Sequence, residues 1–194
     1  MNAPFDKKLT KAEFFRWVQG REGHFELSGG RIVQQMTGGT VRHFDLAEAI
    51  ADVIKSKIDR NAWGVTTGGP GVAVAAEIAG VTTRYPDVVV RPLGRVVPTA
   101  LEIDNPILLV EVLSPSSVTV DLVIKLREYL SIPSLAAYIV ASQDEPRLTV
   151  WLRGADRTFP QLPIEFEDAK DQFTIAALGL TVVLGDCYRG MTPG

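Results

Sequence analysis

A lone carboxylate interrupts an apolar segment at Glu111. Residues 107–113 read Ile-Leu-Leu-Val-Glu-Val-Leu, a run that is typical of a strand covered on both faces. Alternation along a strand places Glu111 on the same face as Leu109 and Leu113. An unpaired carboxylate is costly in apolar surroundings, so it finds a partner, takes up a proton or coordinates a metal ion. Glu111 is therefore the first candidate for chemistry.

Asp87 is a second carboxylate of this kind, because it stands between Pro86 and the apolar residues 88–90. Two carboxylates at the ends of neighbouring strands are able to hold Mg²⁺, a hard cation that prefers oxygen ligands and keeps several waters. A bound ion polarises a phosphodiester and lowers the pKa of a water ligand towards neutrality. Asp87 and Glu111 are therefore the predicted metal ligands, with Mg²⁺ or Mn²⁺ as the ion.

Simpler interpretations of these two acids stay open. Asp87 is also compatible with an ordinary turn or strand-end residue. Glu111 is also compatible with an ion pair to an arginine such as Arg84 or Arg91. The combination of the two acids is more specific than either acid alone.

Three polar residues follow at helical spacing. Asp121, Lys125 and Tyr129 are four residues apart, which puts them on one face of a helix predicted over residues 121–130. A lysine beside a metal ion would orient the attacking water or stabilise negative charge on a phosphate. An Asp–Lys pair on a solvated face of the helix is the alternative.

Two residues nearer the N-terminus are candidates for supporting roles. Glu26 lies in a predicted hairpin and would join the metal shell, although an exposed hairpin acid is equally compatible with the sequence. His43 falls one turn into a predicted long helix and would face the same cleft. A surface position at the start of that helix is the alternative for His43.

The elements that must position these residues are helices and strands in a mixed order. Capping-box spacing predicts a helix after Thr10, glycines 29 and 30 predict a hairpin turn, and apolar residues at helical spacing predict a helix over residues 41–58. Valine-, leucine- and isoleucine-rich runs separated by glycine and proline predict strands. These runs are 65–67, 72–78, 87–90, 107–113, 137–140 and 148–152, with a further strand pair within 173–184. The order predicts a single α/β or α+β domain over residues 1–194, with one mixed β-sheet flanked by helices.

The composition is that of an ordinary globular domain, with 194 residues, 46% of them apolar, and a net charge of −3. This charge disfavours a protein that coats nucleic acid non-specifically, whereas an enzyme with a local basic cleft stays compatible. The single cysteine, Cys187, cannot form an internal bridge, and residues 1–10 lack the apolar run of a signal peptide. The apolar runs are too short for a membrane span. We therefore expect a cytoplasmic protein with no membrane partner.

The order of the candidate residues matches a known pattern. It comprises Glu26-Leu27 with Gly29-Gly30-Arg31, the helix with His43, Pro86-Asp87-Val88, the segment from Glu111 to Ser116, and Asp121 with Lys125 and Tyr129. Residues 13–152 thereby resemble the restriction endonuclease family sometimes called Uma-two, within the PD-(D/E)xK nuclease superfamily. The resemblance implies a restriction-endonuclease-like core with the acids clustered at one end of the central strands. It also implies that Lys125 replaces the lysine that the superfamily carries two residues after the strand glutamate, where this chain has Leu113.

The resemblance implies a Mg²⁺-dependent endonuclease that hydrolyses phosphodiester bonds of DNA. Its catalytic residues would be Asp87, Glu111 and Lys125. Four basic residues are candidates for contacts with the DNA backbone, namely Arg31, Arg42, Arg84 and Arg91. A homodimer is expected, because cutting two strands is most simply arranged with two-fold symmetry. A nuclease fold that binds DNA or a protein partner without cutting is the alternative, and a purely structural dimer subunit is a third.

Overall fold

The computed structural model of the chain describes residues 8–35, 40–74, 80–94, 97, 99–113 and 120–191, without the side chains of residues 34, 35 and 120–122. Within these ranges the helices are α1 (Lys11–Val18), α2 (Val41–Lys57), α3 (Val120–Leu130) and α4 (Leu184–Cys187), with a 3₁₀ turn at Ala176–Leu178. The strands are β1 (His24–Ser28), β2 (Arg31–Gln35), β3 (Trp63–Thr67), β4 (Gly71–Val74), β5 (Thr82–Arg84), β6 (Val88–Pro92), β7 (Glu102–Ile103), β8 (Leu108–Leu113), β9 (Ala137–Ser142), β10 (Leu148–Leu152), β11 (Ile164–Phe166), β12 (Gln172–Ile175) and β13 (Leu180–Val183).

Local sequence signals set the beginning of the first elements. At α1 the Thr10 hydroxyl accepts a hydrogen bond from the Glu13 backbone N–H at 3.2 Å, and the Glu13 carboxylate accepts one from the Thr10 N–H at 2.9 Å. This reciprocal pair is a capping box. The turn between β1 and β2 contains Gly29 and Gly30 with φ of 57° and 82°, as a tight hairpin between twisted strands requires. Both predicted features are confirmed.

The described strands form two larger sheets and a two-stranded one. The six-stranded sheet has the order β11-β10-β9-β8-β6-β3, in which β8 and β9 run parallel. The five-stranded sheet has the order β2-β1-β5-β4-β7, in which β4 and β7 run parallel. β12 and β13 pair separately. Both larger sheets are therefore mixed.

One face of the six-stranded sheet packs against α2. Leu46 and Ile50 of α2 lie against Val110 and Leu108 of β8, all at 2% exposure or less. Burying a leucine or isoleucine side chain contributes roughly 1.5–3 kcal/mol. Because alternate residues of β8 supply this core, the residues between them must lie on the other face.

The other face of the sheet packs against α3. Leu109 and Val89 lie there with Tyr129 of α3, and Val72 and Ile103 from the five-stranded sheet join the same buried cluster. The two larger sheets and α3 therefore share one core. A charged side chain on this face of the six-stranded sheet therefore lies where the two larger sheets and α3 meet.

The structure confirms the predicted mixed fold with flanking helices, and most predicted bounds differ from the observed ones by one or two residues. Residues 75–78 of the strand predicted at 72–78 lie outside the described residues. The prediction of a single sheet is wrong. Two strands of the five-stranded sheet, β5 and β7, are three and two residues long, too short to display strand periodicity. The single-domain organisation stays a prediction.

Among the helices of the described ranges, none has the length and apolar character needed to cross a membrane.

Candidate active site

Glu111 lies inside the six-stranded sheet and faces α3. Its neighbours Val110 and Val112 belong to the core beneath α2, whereas Leu109 and Leu113 pack on the opposite side. Alternation along β8 therefore places Glu111 with Leu109 and Leu113, as predicted. The residue is only 9% exposed, so its carboxylate depends on partners supplied by neighbouring elements.

Asp87 immediately precedes β6, beside Glu111. Val88 pairs with Val110 in the antiparallel register of β6 and β8, and continuing this register by one residue puts Asp87 opposite Glu111. Asp87 Oδ2 accepts a hydrogen bond of 2.7 Å from the backbone N–H of Val112. This bond ties the aspartate to the strand that carries the glutamate. Like charges directly opposite each other are destabilising, so the pair is a place where a cation is favoured.

His43 holds the other oxygen of the aspartate. Its Nε2 lies 3.0 Å from Asp87 Oδ1, and Thr40 caps the start of α2 by accepting a hydrogen bond of 3.1 Å from the His43 backbone N–H. The hydrogen bond to Asp87 raises the pKa of His43, the charges of Asp87 and Glu111 add to this effect, and burial opposes it. His43 therefore faces the site, and the surface alternative is excluded.

α3 brings two side chains onto Glu111. Lys125 Nζ lies 3.4 Å from Glu111 Oε1, and the Tyr129 hydroxyl donates a hydrogen bond of 2.8 Å to the same oxygen. Lys125 and Tyr129 are buried, which excludes a solvated helix face for this lysine. The side chain of Asp121, the third residue predicted on this face, lies outside the described residues.

The surroundings of Glu111 perturb its ionisation. Burial raises the pKa of Glu111 to about 7, and the charges of Asp87 and Glu26 act in the same direction. Lys125 and the Tyr129 hydrogen bond oppose the rise. A carboxyl group with such a pKa beside a second acid is typical of functional sites.

Glu26 contacts the same lysine and is also the partner of an arginine. Its Oε1 lies 3.4 Å from Lys125 Nζ and accepts a hydrogen bond of 3.2 Å from the Tyr85 backbone N–H. Its Oε2 accepts a hydrogen bond of 2.7 Å from Arg84 Nη1. Glu26 is 1% exposed, so the alternative of an exposed hairpin acid is wrong.

Arg84 is an internal residue. It is 2% exposed, and its Nε and Nη2 donate hydrogen bonds of 2.7 and 3.0 Å to the two carboxylate oxygens of Glu128. The prediction that Arg84 contacts the DNA backbone is wrong, because its guanidinium is enclosed among protein carboxylates. Its described ion pairs are with Glu26 and Glu128, whereas Glu111 forms its described ion pair with Lys125. No pattern in the sequence indicated Glu128.

The other three predicted DNA contacts lie at different distances from the site. Arg42 precedes His43 in the first turn of α2, whereas Arg31 is exposed on β2 of the other sheet. Arg91 lies four residues beyond Asp87 along β6, which is roughly 13 Å at the usual rise of a strand. The Nε atoms of Arg42 and Arg91 are buried and have no acceptor among the described residues.

The carboxylates of Asp87 and Glu111 suit a hard divalent cation. Glu111 Oε2 receives no hydrogen bond from the part of the chain that the structure describes, and the side chains of Asp87 and Glu111 keep 21% and 11% of their surface exposed. The described residues contain no group of three or more His, Cys, Asp and Glu side chains arranged around a metal position. Two carboxylates with several waters are the usual protein ligands of Mg²⁺.

A family model described as "Uma2: Putative restriction endonuclease" matches residues 12–183. The chain belongs to this family. The match continues past residue 152, where the motifs recognisable in the sequence end, and takes in the strands β11 to β13. Residues 153–183, which carry no recognisable motif, are therefore also part of the Uma2 match.

Two comparisons agree with the Uma2 assignment. The chain is 26% identical over 192 residues to the uncharacterized protein slr1290 of Synechocystis sp., covering 98% of this chain and 96% of that protein. It also resembles a crystal structure from Anabaena variabilis, described as a putative nuclease belonging to DUF820, with a TM-score of 0.73 and 17% identity. That similarity covers 93% of this chain and 97% of the other. At this identity the likeness shows a shared nuclease-like fold.

In this Uma2 protein, the residue two positions after the strand glutamate has a packing role. Leu113 lines an apolar pocket together with Leu126, Tyr138 and Trp151. The positive charge beside Glu111 comes from Lys125 on α3. This geometry agrees with the replacement of the strand lysine by Lys125, and the part that Lys125 plays in catalysis stays a prediction.

Proposed function

We propose that this Uma2 protein is a Mg²⁺-dependent endonuclease that hydrolyses phosphodiester bonds of DNA. The observation that carries the proposal is the meeting of three groups on one side of the six-stranded sheet. The carboxylates of Asp87 and Glu111 lie on adjacent strands, and the Lys125 ammonium lies 3.4 Å from Glu111. Phosphodiester hydrolysis needs oxygen ligands for a hard cation and positive charge for the reacting phosphate.

The charge balance around Glu111 supports a divalent ion. One connected set of charged side chains surrounds this residue, comprising Glu26, Arg84, Asp87, Lys125 and Glu128. Together with Glu111, four carboxylates in this set face one guanidinium and one ammonium. With all four carboxylates ionised, and before His43 is counted, these described side chains carry an excess of two negative charges, which a divalent cation would neutralise.

The chemistry assigned to each side chain follows from its contacts. Hydrolysis adds water across one P–O bond, so that phosphorus gains an oxygen and the leaving oxygen takes a proton. A divalent cation bound by Asp87 and Glu111 would polarise the phosphodiester and lower the pKa of water. Lys125 would orient the attacking water or stabilise charge on the phosphate. Tyr129 holds one oxygen of Glu111, and His43 holds one oxygen of Asp87. These contacts keep both carboxylates oriented.

DNA is the proposed substrate, and Arg42, which is next to His43 in the chain, is proposed to contact its backbone. Arg31 and Arg91 would contact phosphates further from the site. Such contacts fix the position of a duplex without reading its sequence. We also propose a homodimer, since two-fold symmetry brings one site to each strand. Sedimentation of the protein with and without a duplex tests this proposal, and a monomer under both conditions would contradict it.

Cleavage of supercoiled plasmid in Mg²⁺ or Mn²⁺ tests the proposed activity. We expect the wild-type protein to nick or linearise the plasmid and the Asp87→Ala, Glu111→Ala double variant to be inactive. Asp186→Ala is a matched control, because it removes an acid that pairs with Lys57 on the surface. Wild-type cleavage no faster than that of the double variant would overturn the proposal.

A nuclease fold that binds DNA or a protein partner without cutting is the second candidate. Leu113 at the usual lysine position and the net charge of −3 favour it. Binding of duplex DNA that is unaffected by divalent ions, combined with no cleavage, would favour this candidate over the enzyme.

A further inference from the structure

Arg84 lies at a junction of three elements. It belongs to β5 of the five-stranded sheet, its partner Glu26 belongs to β1 of the same sheet, and its partner Glu128 belongs to α3. All three side chains are buried. Arg84 also donates a hydrogen bond of 3.0 Å to the Ser28 hydroxyl. The guanidinium thus connects the five-stranded sheet with the helix that carries Lys125.

One route from Arg84 to Lys125 runs through Glu26. Arg84 Nη1 holds Glu26 Oε2 at 2.7 Å, and Glu26 Oε1 lies 3.4 Å from Lys125 Nζ. The Lys125 ammonium therefore lies between the carboxylates of Glu26 and Glu111, at the same distance from each. Because Arg84 fixes the orientation of Glu26, it also fixes the position of one carboxylate that contacts the lysine.

A second route runs through the helix backbone. The two-pronged contact of Arg84 with Glu128 restricts rotation of α3 about its own axis, since both carboxylate oxygens are engaged. Glu128 follows Lys125 by three residues and precedes Tyr129 by one, so these side chains belong to adjacent turns of the helix. Restricting the rotation of α3 at Glu128 therefore restricts the direction in which Lys125 and Tyr129 project towards Glu111.

We propose that Arg84 is a positioning residue that acts through Lys125, by holding Glu26 beside its ammonium and Glu128 on the helix that carries it. These contacts carry the inference about the placement of the lysine, whereas its effect on cleavage rests on the proposed function. An arginine suits this role better than a lysine, because its planar fork engages two carboxylates in fixed directions, whereas an ammonium acts as a point charge.

Nuclear magnetic resonance of the lysine ammonium groups tests the proposal independently of any activity. An ammonium held between two buried carboxylates exchanges its protons slowly enough to give a ¹H–¹⁵N correlation, whereas exposed lysines such as Lys170 exchange fast. The Lys125→Met variant assigns the signal. We compare the full-length wild type with Arg84→Lys and Glu128→Gln, and use Arg153→Lys as a matched control. Arg153 also donates several hydrogen bonds, but its acceptors are backbone carbonyls, including those of Ile132 and Leu135 beyond α3.

We expect a protected Lys125 signal in the wild type and in Arg153→Lys, and its loss in Arg84→Lys and Glu128→Gln while both stay folded by circular dichroism. Should Arg84→Lys unfold, Glu128→Gln alone decides, since it keeps the shape of the side chain. An unchanged signal in a folded variant, or no protected signal in the wild type, would overturn the proposal.

The activity readout separates positioning from folding. In the plasmid assay we expect kcat of the folded Glu128→Gln variant to fall by about tenfold to a hundredfold with KM nearly unchanged, as displacement of a catalytic group produces. A fall in the concentration of active enzyme without a change in kcat per folded molecule would contradict a positioning role. If the wild type cuts nothing, the proposed function fails, and the ammonium signal still decides the placement.

Discussion

The ammonium of Lys125 lies 3.4 Å from Glu111 Oε1 and reaches it from α3, across the face of the sheet that carries the glutamate. A lysine on the strand itself would be placed by strand geometry. Here its placement depends on how α3 packs on the sheet, and so on Tyr129 in the shared core and on the Arg84–Glu128 contact. The site is therefore sensitive to residues that do not touch a substrate.

Replacing Lys125 by methionine tests the central role of this ammonium. We expect the Lys125→Met variant to lose at least about a hundredfold in kcat, the usual effect of removing one group that stabilises developing charge. Divalent-ion binding is expected to persist, because Asp87 and Glu111 remain. Single-turnover plasmid cleavage with calorimetric titration of Mn²⁺ measures both quantities on the same sample.

A relocation of the lysine sharpens this test. Leu113 shares the face of Glu111 and stands where the superfamily pattern has its lysine. We expect Leu113→Lys to restore part of the activity in the Lys125→Met background. Full activity in Lys125→Met alone would show that the ammonium has no part in the reaction.

The raised pKa of Glu111 predicts a pH dependence of stability in the metal-free protein. Burial raises this pKa from 4.5 to about 7, so the folded state binds the proton more tightly than the unfolded chain. The contribution of Glu111 to the free energy of unfolding then falls as pH rises from about 4.5 to about 7, and stays low above that range. Urea denaturation in the presence of a chelator between pH 5 and 8 measures the slope.

The variant Glu111→Gln separates this group from its neighbours. Its amide does not ionise, so we expect a shallower fall in stability with pH. His43 contributes with the same sign, because its raised pKa gives stability that is present below 6.5 and is lost as pH rises through the folded value. A slope identical to that of the wild type would refute the assignment to Glu111.

The buried ion pairs of Arg84 predict a large effect on folding. Arg84→Met removes the cation that Glu26 and Glu128 share and leaves Lys125 as a positive neighbour of Glu26. Breaking a buried pair of this kind costs about 3–5 kcal/mol of unfolding free energy. Lys57→Met breaks a partly exposed pair with Asp186 and is expected to change stability little. Urea denaturation of both variants gives the comparison, and equal effects would contradict the burial of the Arg84 network.

The thiol of Cys187 offers a probe of the packing of α4. It is fully buried, and burial raises its pKa to about 12. We expect no reaction with a chromogenic disulfide reagent at pH 8 in the folded protein, and complete reaction in denaturant. Rapid labelling without denaturant would show that α4 does not cover the core in solution.

The acids of the site were predictable from sequence because each interrupts or begins an apolar run. Asp87 and Glu111 stand out against valine and leucine, and the spacing of Lys125 and Tyr129 indicates one helix face. The structure brings these four residues together. Burying a charged side chain is costly, so an acid inside an apolar run stands out. Each of these acids is recognisable from its own strand, without knowing how the strands pair.

The network around Arg84 was not predictable in the same way. Arg84 ends a strand of three residues, which shows no periodicity, and its partners lie 58 and 44 residues away in the chain. An exposed arginine and a buried one look alike when the pairing of strands is unknown. For the same reason, one sequence does not show that Asp87 lies opposite Glu111, because this depends on the register between β6 and β8.

Calorimetric titration of Mn²⁺ into the metal-free protein tests most directly whether Asp87 and Glu111 form a cation site. The wild type should bind one ion per chain at submillimolar concentration, and the folded variants Asp87→Asn and Glu111→Gln should bind it at least about tenfold more weakly, since each loses a charged oxygen ligand. Asp186→Asn, which changes a surface acid, should bind as the wild type does. Absence of binding in the wild type, or equal affinity in all four proteins, would contradict the account.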